Sequence, residues 1–188
     1  GLIGPASELD LGDVRRQLET NVVATLAMTQ TVVPGMAARE SGRIVTIGSV
    51  SAVTTTPFSG AYCASKAAVH SLCDALRMEL GRFGIAVVEV QPGAVESSFA
   101  DTASHGLDRY RRPESLYRSL VDRIEARARL SQQRPTPATE VARRVVRGAL
   151  SRRPPAVLRV GHGSRLLPLI GRLPTGLRDR ILRRRFGL

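Results

Sequence analysis

Residues 42–66 read GRIVTIGSVSAVTTTPFSGAYCASK, and this stretch decides the fold. Residues 44–47 form an apolar run too short for a helix and rich in β-branched side chains, as in a buried strand of a parallel sheet. Turn material rich in Ser and Thr follows, then Pro57, then a helix on which Tyr62 and Lys66 sit four residues apart. That spacing places a phenol and an ammonium one above the other on the same helical face. A nearby cation favours the ionised form of an acid, so the Tyr62 pKa is expected to fall from about 10 towards neutrality. A tyrosine tuned in that way exchanges protons at physiological pH. Ser49, at the C-terminal end of the strand, supplies a hydroxyl where open α/β sheets bind ligands.

The chain carries 27 Arg and a single Lys, which is Lys66. Arginine does not give up its proton, whereas lysine has a tunable pKa and a compact head. A site that needs a lysine is one reason to keep one. An isolated YxxxK reads as an ordinary surface pair, and the surrounding pattern is what gives this one weight.

At 188 residues the chain is long enough for one domain with a full hydrophobic core. Its first residue is Gly, so the numbering is expected to begin inside a longer protein. The formal charge of +12 comes mostly from the arginines of the last third. Such a balance raises nucleic acid and anionic membranes as partners. Aromatics are only 4% and Trp is absent, which leaves little for base stacking. The basic surface is therefore read as solvated, with no nucleic-acid partner. Cys63 and Cys73 lie ten residues apart on one expected helix. At 1.5 Å per residue they are roughly 15 Å apart, too far for a disulfide. Reduced thiols fit a cytoplasmic protein. No signal peptide is visible in these residues, no apolar run approaches the roughly 20 residues of a spanning helix, and no metal site is expected.

Taken in order, residues 1–8 read as a loop, and Asp10 with Asp13 marks a helix start. Val14, Leu18, Val22 and Leu26 keep an apolar stripe through a long helix that ends between residues 35 and 42. Asn21 interrupts it as a mediocre helix former, and alone it reads as a surface polar residue. After the Tyr-bearing helix, residues 85–90 form a second buried strand ended by Pro92-Gly93. Strand, helix, strand gives a right-handed crossover and a parallel sheet. The Pro-Gly turn would let backbone approach a flat ligand. Residues 96–137 are polar and weakly periodic. Phe99, Leu107, Tyr110, Leu116 and Tyr117 suit either a mobile lid over a substrate or a solvated insertion with a few anchors. Residues 139–150 form a helix and 156–160 a short strand. Residues 166–188 alternate Leu or Ile with Arg, broken by Pro168 and Pro174. That amphipathic tail packs on its own domain, or rests on a bilayer surface as a peripheral contact.

Four features together resemble the short-chain dehydrogenase/reductase family: Asn21 in the long helix, Ser49 after the strand, the box Tyr62-Cys63-Ala64-Ser65-Lys66, and Gln91-Pro92-Gly93 after the next strand. The likeness is strongest over residues 1–100. The tail looks like that of bacterial members similar to 17β-hydroxysteroid and retinol-type dehydrogenases. The resemblance implies an α/β fold, a Rossmann-like doubly wound parallel sheet in one partial domain over 1–188. Within it, 1–100 would be the catalytic core, 96–137 a substrate lid and 138–188 a C-terminal helix, strand and basic tail.

The resemblance also implies roles. Tyr62 would exchange a proton with the oxygen of an alcohol or carbonyl substrate while hydride moves to or from NAD or NADP. Ser49 would hydrogen-bond that same oxygen, with Ser51 as its rival. Lys66 would lower the Tyr62 pKa and bind the nicotinamide ribose. Asn21 would hold a water in a relay from Lys66 to solvent. Pro92, Gly93, Val95 and Ser97 would contact the nicotinamide, with Tyr62 and Lys66, and Phe99 would touch substrate. A homodimer or homotetramer is implied by analogy. One departure is large: the family's Gly-rich pyrophosphate turn has no match here, and Gly1 looks like the Gly closing the family's Asn-Ala-Gly segment. The first four strands are therefore expected to lie outside the chain. The competing reading is an inactive remnant acting as a structural or interaction protein.

Overall fold

A computed structural model describes residues 1–188. The side chain of Asp10 accepts the Asp13 amide at 3.0 Å and starts α1 (Leu11–Leu18). An N-cap of this kind satisfies a donor that the first helical turn leaves free. One π-helical turn, Glu19–Val23, joins α1 to α2 (Ala24–Ala38). Then come β1 (Gly42–Ile47), α3 (Gly60–Leu80) and β2 (Ile85–Pro92), followed by α4 (Phe99–Ser104), α5 (Val121–Arg129) and α6 (Ala138–Ala149). The chain closes with β3 (Val157–Val160), α7 (Leu166–Gly171) and α8 (Thr175–Phe186).

The three strands pair in the order β1-β2-β3, all parallel. The register runs from Gly42 opposite Ile85 to Ile47 opposite Val90, and from Glu89 opposite Val157 to Pro92 opposite Val160. β2 is central and buried on both faces. Ile85 and Val87 pack with Ile44 against Val69, Cys73 and Leu80 of α3, whereas Val90 packs with Val160 against Val141 of α6. Helices on both faces confirm the doubly wound α/β expectation. At β1 only the α3 face is covered, and Ile47 on the other face is 54% exposed.

Residues 96–137, expected as a mobile helical lid or a solvated insertion with a few anchors, are packed onto the domain. Ala103 and Leu107, with Tyr110, Val121, Ile124 and Ala128, form a core shared with Ile3 and Phe58. Weak sequence periodicity concealed it because short helices and 3₁₀ turns contribute one or two buried residues each. Leu116 is not an anchor, being 83% exposed. The tail packs on this cap and on the loop after β1. Thr54 Oγ1 donates to the Leu167 carbonyl at 2.7 Å, and Arg123 of α5 bonds the Gly187 carbonyl just past α8. Both cysteines are buried and free, as expected. No helix is long and apolar enough to cross a membrane.

Candidate active site

β1 ends at Ile47, whose carbonyl accepts a 2.9 Å hydrogen bond from Lys66 Nζ. Gly48 follows, and a side chain there would meet the carboxylate of Glu89, since an added Cβ would lie 2.3 Å from Glu89 Oε1. Ser49 then turns the chain: its Oγ accepts the Ser51 amide at 3.1 Å, which leaves its own proton free to donate. Ser51, the rival serine, thus acts through its backbone. At Phe58 the backbone takes a φ of 62°, unusual for a bulky residue, and Ser59 occupies the N-cap position of α3 without a side-chain capping bond. Tyr62 falls in the first turn of that helix and Lys66 one turn later.

Tyr62, Lys66, Asn21 and Phe99 line one cavity of about 570 Å³. Phe99 meets the Tyr62 ring edge-on at 5.3 Å. Asp13, Arg16, Gln17 and Arg109 complete much of its wall, and the buried Gln17 Nε2 has no hydrogen-bond partner. Asn21 is not the free surface residue it seemed by itself. Its Nδ2 donates to Ser65 Oγ at 2.9 Å, and Ser65 Oγ donates to the Tyr62 carbonyl at 2.8 Å. The expected regular helix is replaced there by the π turn, in which the Ala24 amide reaches back to Glu19. Single π turns of this kind recur at functional sites.

The electrostatics overturn one expectation. Burial pushes the Tyr62 phenol above its ordinary value of 10.0. The Ser49 hydroxyl and the charge of Arg127 draw it part of the way back, while Cys63 opposes them. Lys66 is not among these influences. Its ammonium is turned to the Ile47 carbonyl, and burial lowers its pKa from 10.5 against the upward pull of Glu89 and Cys73. Desolvation of both groups and the carboxylate behind the lysine outweigh the cation four residues away.

That carboxylate was missed. Glu89 of β2 is 1% exposed, and its Oε2 contacts His70 Nδ1 at 2.6 Å and accepts from Gln91 Nε2 at 2.9 Å. Arg159 of β3 donates to Gln91 Oε1 at 3.1 Å. An acid inside the apolar run IAVVEV was the available signal. Arg127 of α5 was also missed, and nothing marked it among so many arginines.

The remaining expected residues lie outside the cavity wall. Gly93 donates its amide to Val160, and an added Cβ would lie 2.1 Å from the His162 carbonyl oxygen, so the close approach it permits is to its own chain. Val95 packs beside Val90 and Val141. Ser97 Oγ donates to the Val95 carbonyl at 3.3 Å.

Comparison with known proteins bears on this arrangement. The family described as short chain dehydrogenase matches residues 1–108. The rat protein named estradiol 17-beta-dehydrogenase 1 is 38% identical over 106 residues, 56% of this chain and 31% of that one. An uncharacterized oxidoreductase of Escherichia coli strain K12, YbbO, is 36% identical over 104 residues, 55% of this chain and 39% of its own. The chain thus spans about a third of the length of the curated relatives it matches. Among solved structures, a short-chain dehydrogenase from Streptomyces avermitilis superposes with a TM-score of 0.74 at 23% identity, over 96% of this chain and 62% of that one. A serine dehydrogenase in complex with NADP+ gives 0.69 at 23% identity, over 86% and 61%. At such identities these two likenesses speak for the fold.

Proposed function

The chain belongs to the short-chain dehydrogenase family, and on that premise we propose that it is the catalytic part of an NAD- or NADP-dependent oxidoreductase acting on a secondary alcohol or ketone. A lipid-like substrate such as a steroid or retinoid is favoured by the relative named for estradiol. The observation that carries the reading is the meeting of Tyr62, Lys66 and Asn21 on one cavity, with the Ser49 hydroxyl drawing the phenol pKa down.

The residues present fit the nicotinamide-ribose half of such a cofactor. The cavity has room, Lys66 keeps two ammonium protons beyond the one given to Ile47, and an unpartnered Gln17 donor lines the wall. Lys66 would bind the ribose hydroxyls, whereas Pro92, Gly93, Val95 and Ser97, which the family resemblance gives to the ring, lie outside this cavity wall. When bound, the nicotinamide takes or supplies the hydride. Tyr62 Oη gives its proton to the carbonyl oxygen in reduction and takes the alcohol proton in oxidation. Ser49 Oγ donates to that same oxygen and holds it against the phenol. Asn21 would hold a water that passes the proton from Lys66 to solvent. Phe99, packed on the Tyr62 ring, would border the substrate.

The test follows NAD(P)H absorbance in the complete protein with hydroxysteroids, retinoids and aliphatic ketones. Tyr62→Phe should lower kcat by at least about a hundredfold while leaving the fold intact; undiminished turnover rules the role out. Two partner readings accompany this one. Exposed Val23, Met28 and Val32 along the π turn and α2, with Met78 on α3, favour a homodimer or homotetramer, which light scattering checks. Exposed Leu166 and Leu169 on α7, and Leu177 and Ile181 among the arginines of α8, favour a peripheral contact with anionic membrane. Liposome co-sedimentation unchanged by deleting the tail removes that reading.

A further inference from the structure

Arg127 is a buried cation with no anion. It is 9% exposed, and every hydrogen bond it makes is to a neutral hydroxyl: Nε and Nη2 to Thr56 Oγ1 at 3.1 and 2.9 Å, and Nη2 to Ser59 Oγ at 3.0 Å. None of the molecule's ion pairs includes it. The ring of Phe186 lies under the guanidinium at 5.8 Å, a cation–π contact that shields it further. An unpaired charge held out of water is costly, and proteins ordinarily pair it or discard it.

Its position makes the arrangement more unfavourable still. Ser59 is the N-cap of α3, so the guanidinium sits at the positive end of that helix's dipole. Two like potentials converge on the first turn of α3, where the protein carries no compensating carboxylate. Such a point stabilises an anion that arises there, and the group in that turn which the proposed reaction ionises is Tyr62.

Several charges surround Tyr62. On its own helix Lys66 gives its ammonium to the Ile47 carbonyl and feels the charge of Glu89 on β2, with no ion pair between them. Across the cavity Arg16 and Arg109 are paired with Asp13. His105 of the loop after α4 lines the same cavity. Gly1 lies against Phe99 and Tyr62. Cys63 adjoins the phenol and Ser49 donates without a charge. Arg127 is the buried charge among these, and no ion pair meets it.

We propose that Arg127, carried on the cap helix α5, is the counter-charge of the Tyr62 phenolate and acts on the reaction through Tyr62. This rests on the reading of Tyr62 as the proton-exchanging group. The electrostatics agree from both sides: Arg127 draws the Tyr62 pKa down, and Cys63, followed by Tyr62, draws that of Arg127 up against its burial. The cap and the C-terminal helix thereby set the acidity of a residue on the opposite side of the site.

The experiment titrates the phenol in the full-length protein by ultraviolet difference absorbance, with Tyr62→Phe subtracted to isolate one tyrosine. Arg127→Met should raise the Tyr62 midpoint by about one pH unit, and Arg127→Lys, which keeps the charge, should restore most of the shift. Arg127→Gln keeps donors for Thr56 and Ser59 without charge and should behave as Met does; it also serves if the Met variant does not fold. An unchanged midpoint in the neutral variants, or a Lys variant that matches Met, overturns the proposal. In turnover, the pH profile of alcohol oxidation should move upward in parallel, with about tenfold lower kcat below the midpoint and convergence above it. The phenol titration needs no turnover, so an inactive parent protein defeats the oxidoreductase reading while leaving this one decided by its own result.

Discussion

Asn21 and Ser65 are joined by a 2.9 Å hydrogen bond across 44 residues of sequence, and that bond fastens the π turn to the helix that carries Tyr62 and Lys66. Ser65 is fully buried and passes its own proton to the Tyr62 carbonyl, so the amide of Asn21 lies two bonds from the backbone of the proposed acid. The Asn21 carbonyl is taken by Thr25 Oγ1 at 2.8 Å. Asn21→Ala leaves Ser65 Oγ short of a donor and should cost about 1 kcal/mol of stability. Turnover should fall further than that loss explains, because the relay and the placement of α3 go together. Urea midpoints with paired kinetics check this, and a variant with full stability and full activity contradicts it.

Glu89 behind Lys66 is the second expectation. Glu89→Leu removes the acceptor used by His70 and Gln91 and leaves the Lys66 ammonium without its nearby carboxylate, at a cost of about 3 kcal/mol. Gly48→Ala strikes the same carboxylate from the strand side and should cost about 1–3 kcal/mol. Because both act on one group, the double variant should be less destabilised than the sum of the two. Simple additivity in chemical denaturation argues against a shared contact.

Acid stability reports on the cap. Asp13 of α1 accepts from Arg16 at 2.7 Å and from Arg109, next to the cap core, at 3.0 Å. The Arg109 hydrogen bond is the largest influence holding its carboxyl below the usual 3.8. A carboxyl whose folded pKa is depressed binds fewer protons than in the unfolded chain, so its contribution is present above pH 3.8 and is lost as the pH falls through the folded value. Asp13→Asn should therefore be less stable than the parent at neutral pH and equal to it at low pH. Parallel stability curves that never converge on the acid side would remove Asp13 from this role.

Alkaline stability carries the opposite sign. Burial raises the folded pKa of Tyr62 and Tyr110 above 10.0 and that of Cys73 above 9.0. Each loses its proton first in the unfolded chain, so stability falls as the pH climbs past the unfolded values. Cys73→Ser should delay the onset of that fall, although the smaller and more polar side chain lowers stability throughout. The slope of unfolding free energy between pH 9 and 10 is the measurement, and an unchanged slope refutes the assignment.

Local chemistry was enough for much of this molecule. The apolar runs before Ser49 and Pro92 specify two parallel strands, the Asp10 cap specifies a helix start, and Tyr62 and Lys66 must share a helical face, because these depend on backbone periodicity and neighbours in sequence. Tertiary structure decided the rest. The π turn at Asn21, the packed cap of residues 96–137, the acid behind Lys66 and the unpaired Arg127 at the start of α3 arise from groups distant in the chain. Charge and burial act through space, so a phenol expected to be acidified by its own helix is governed instead by desolvation, by Ser49 and by an arginine 65 residues further along.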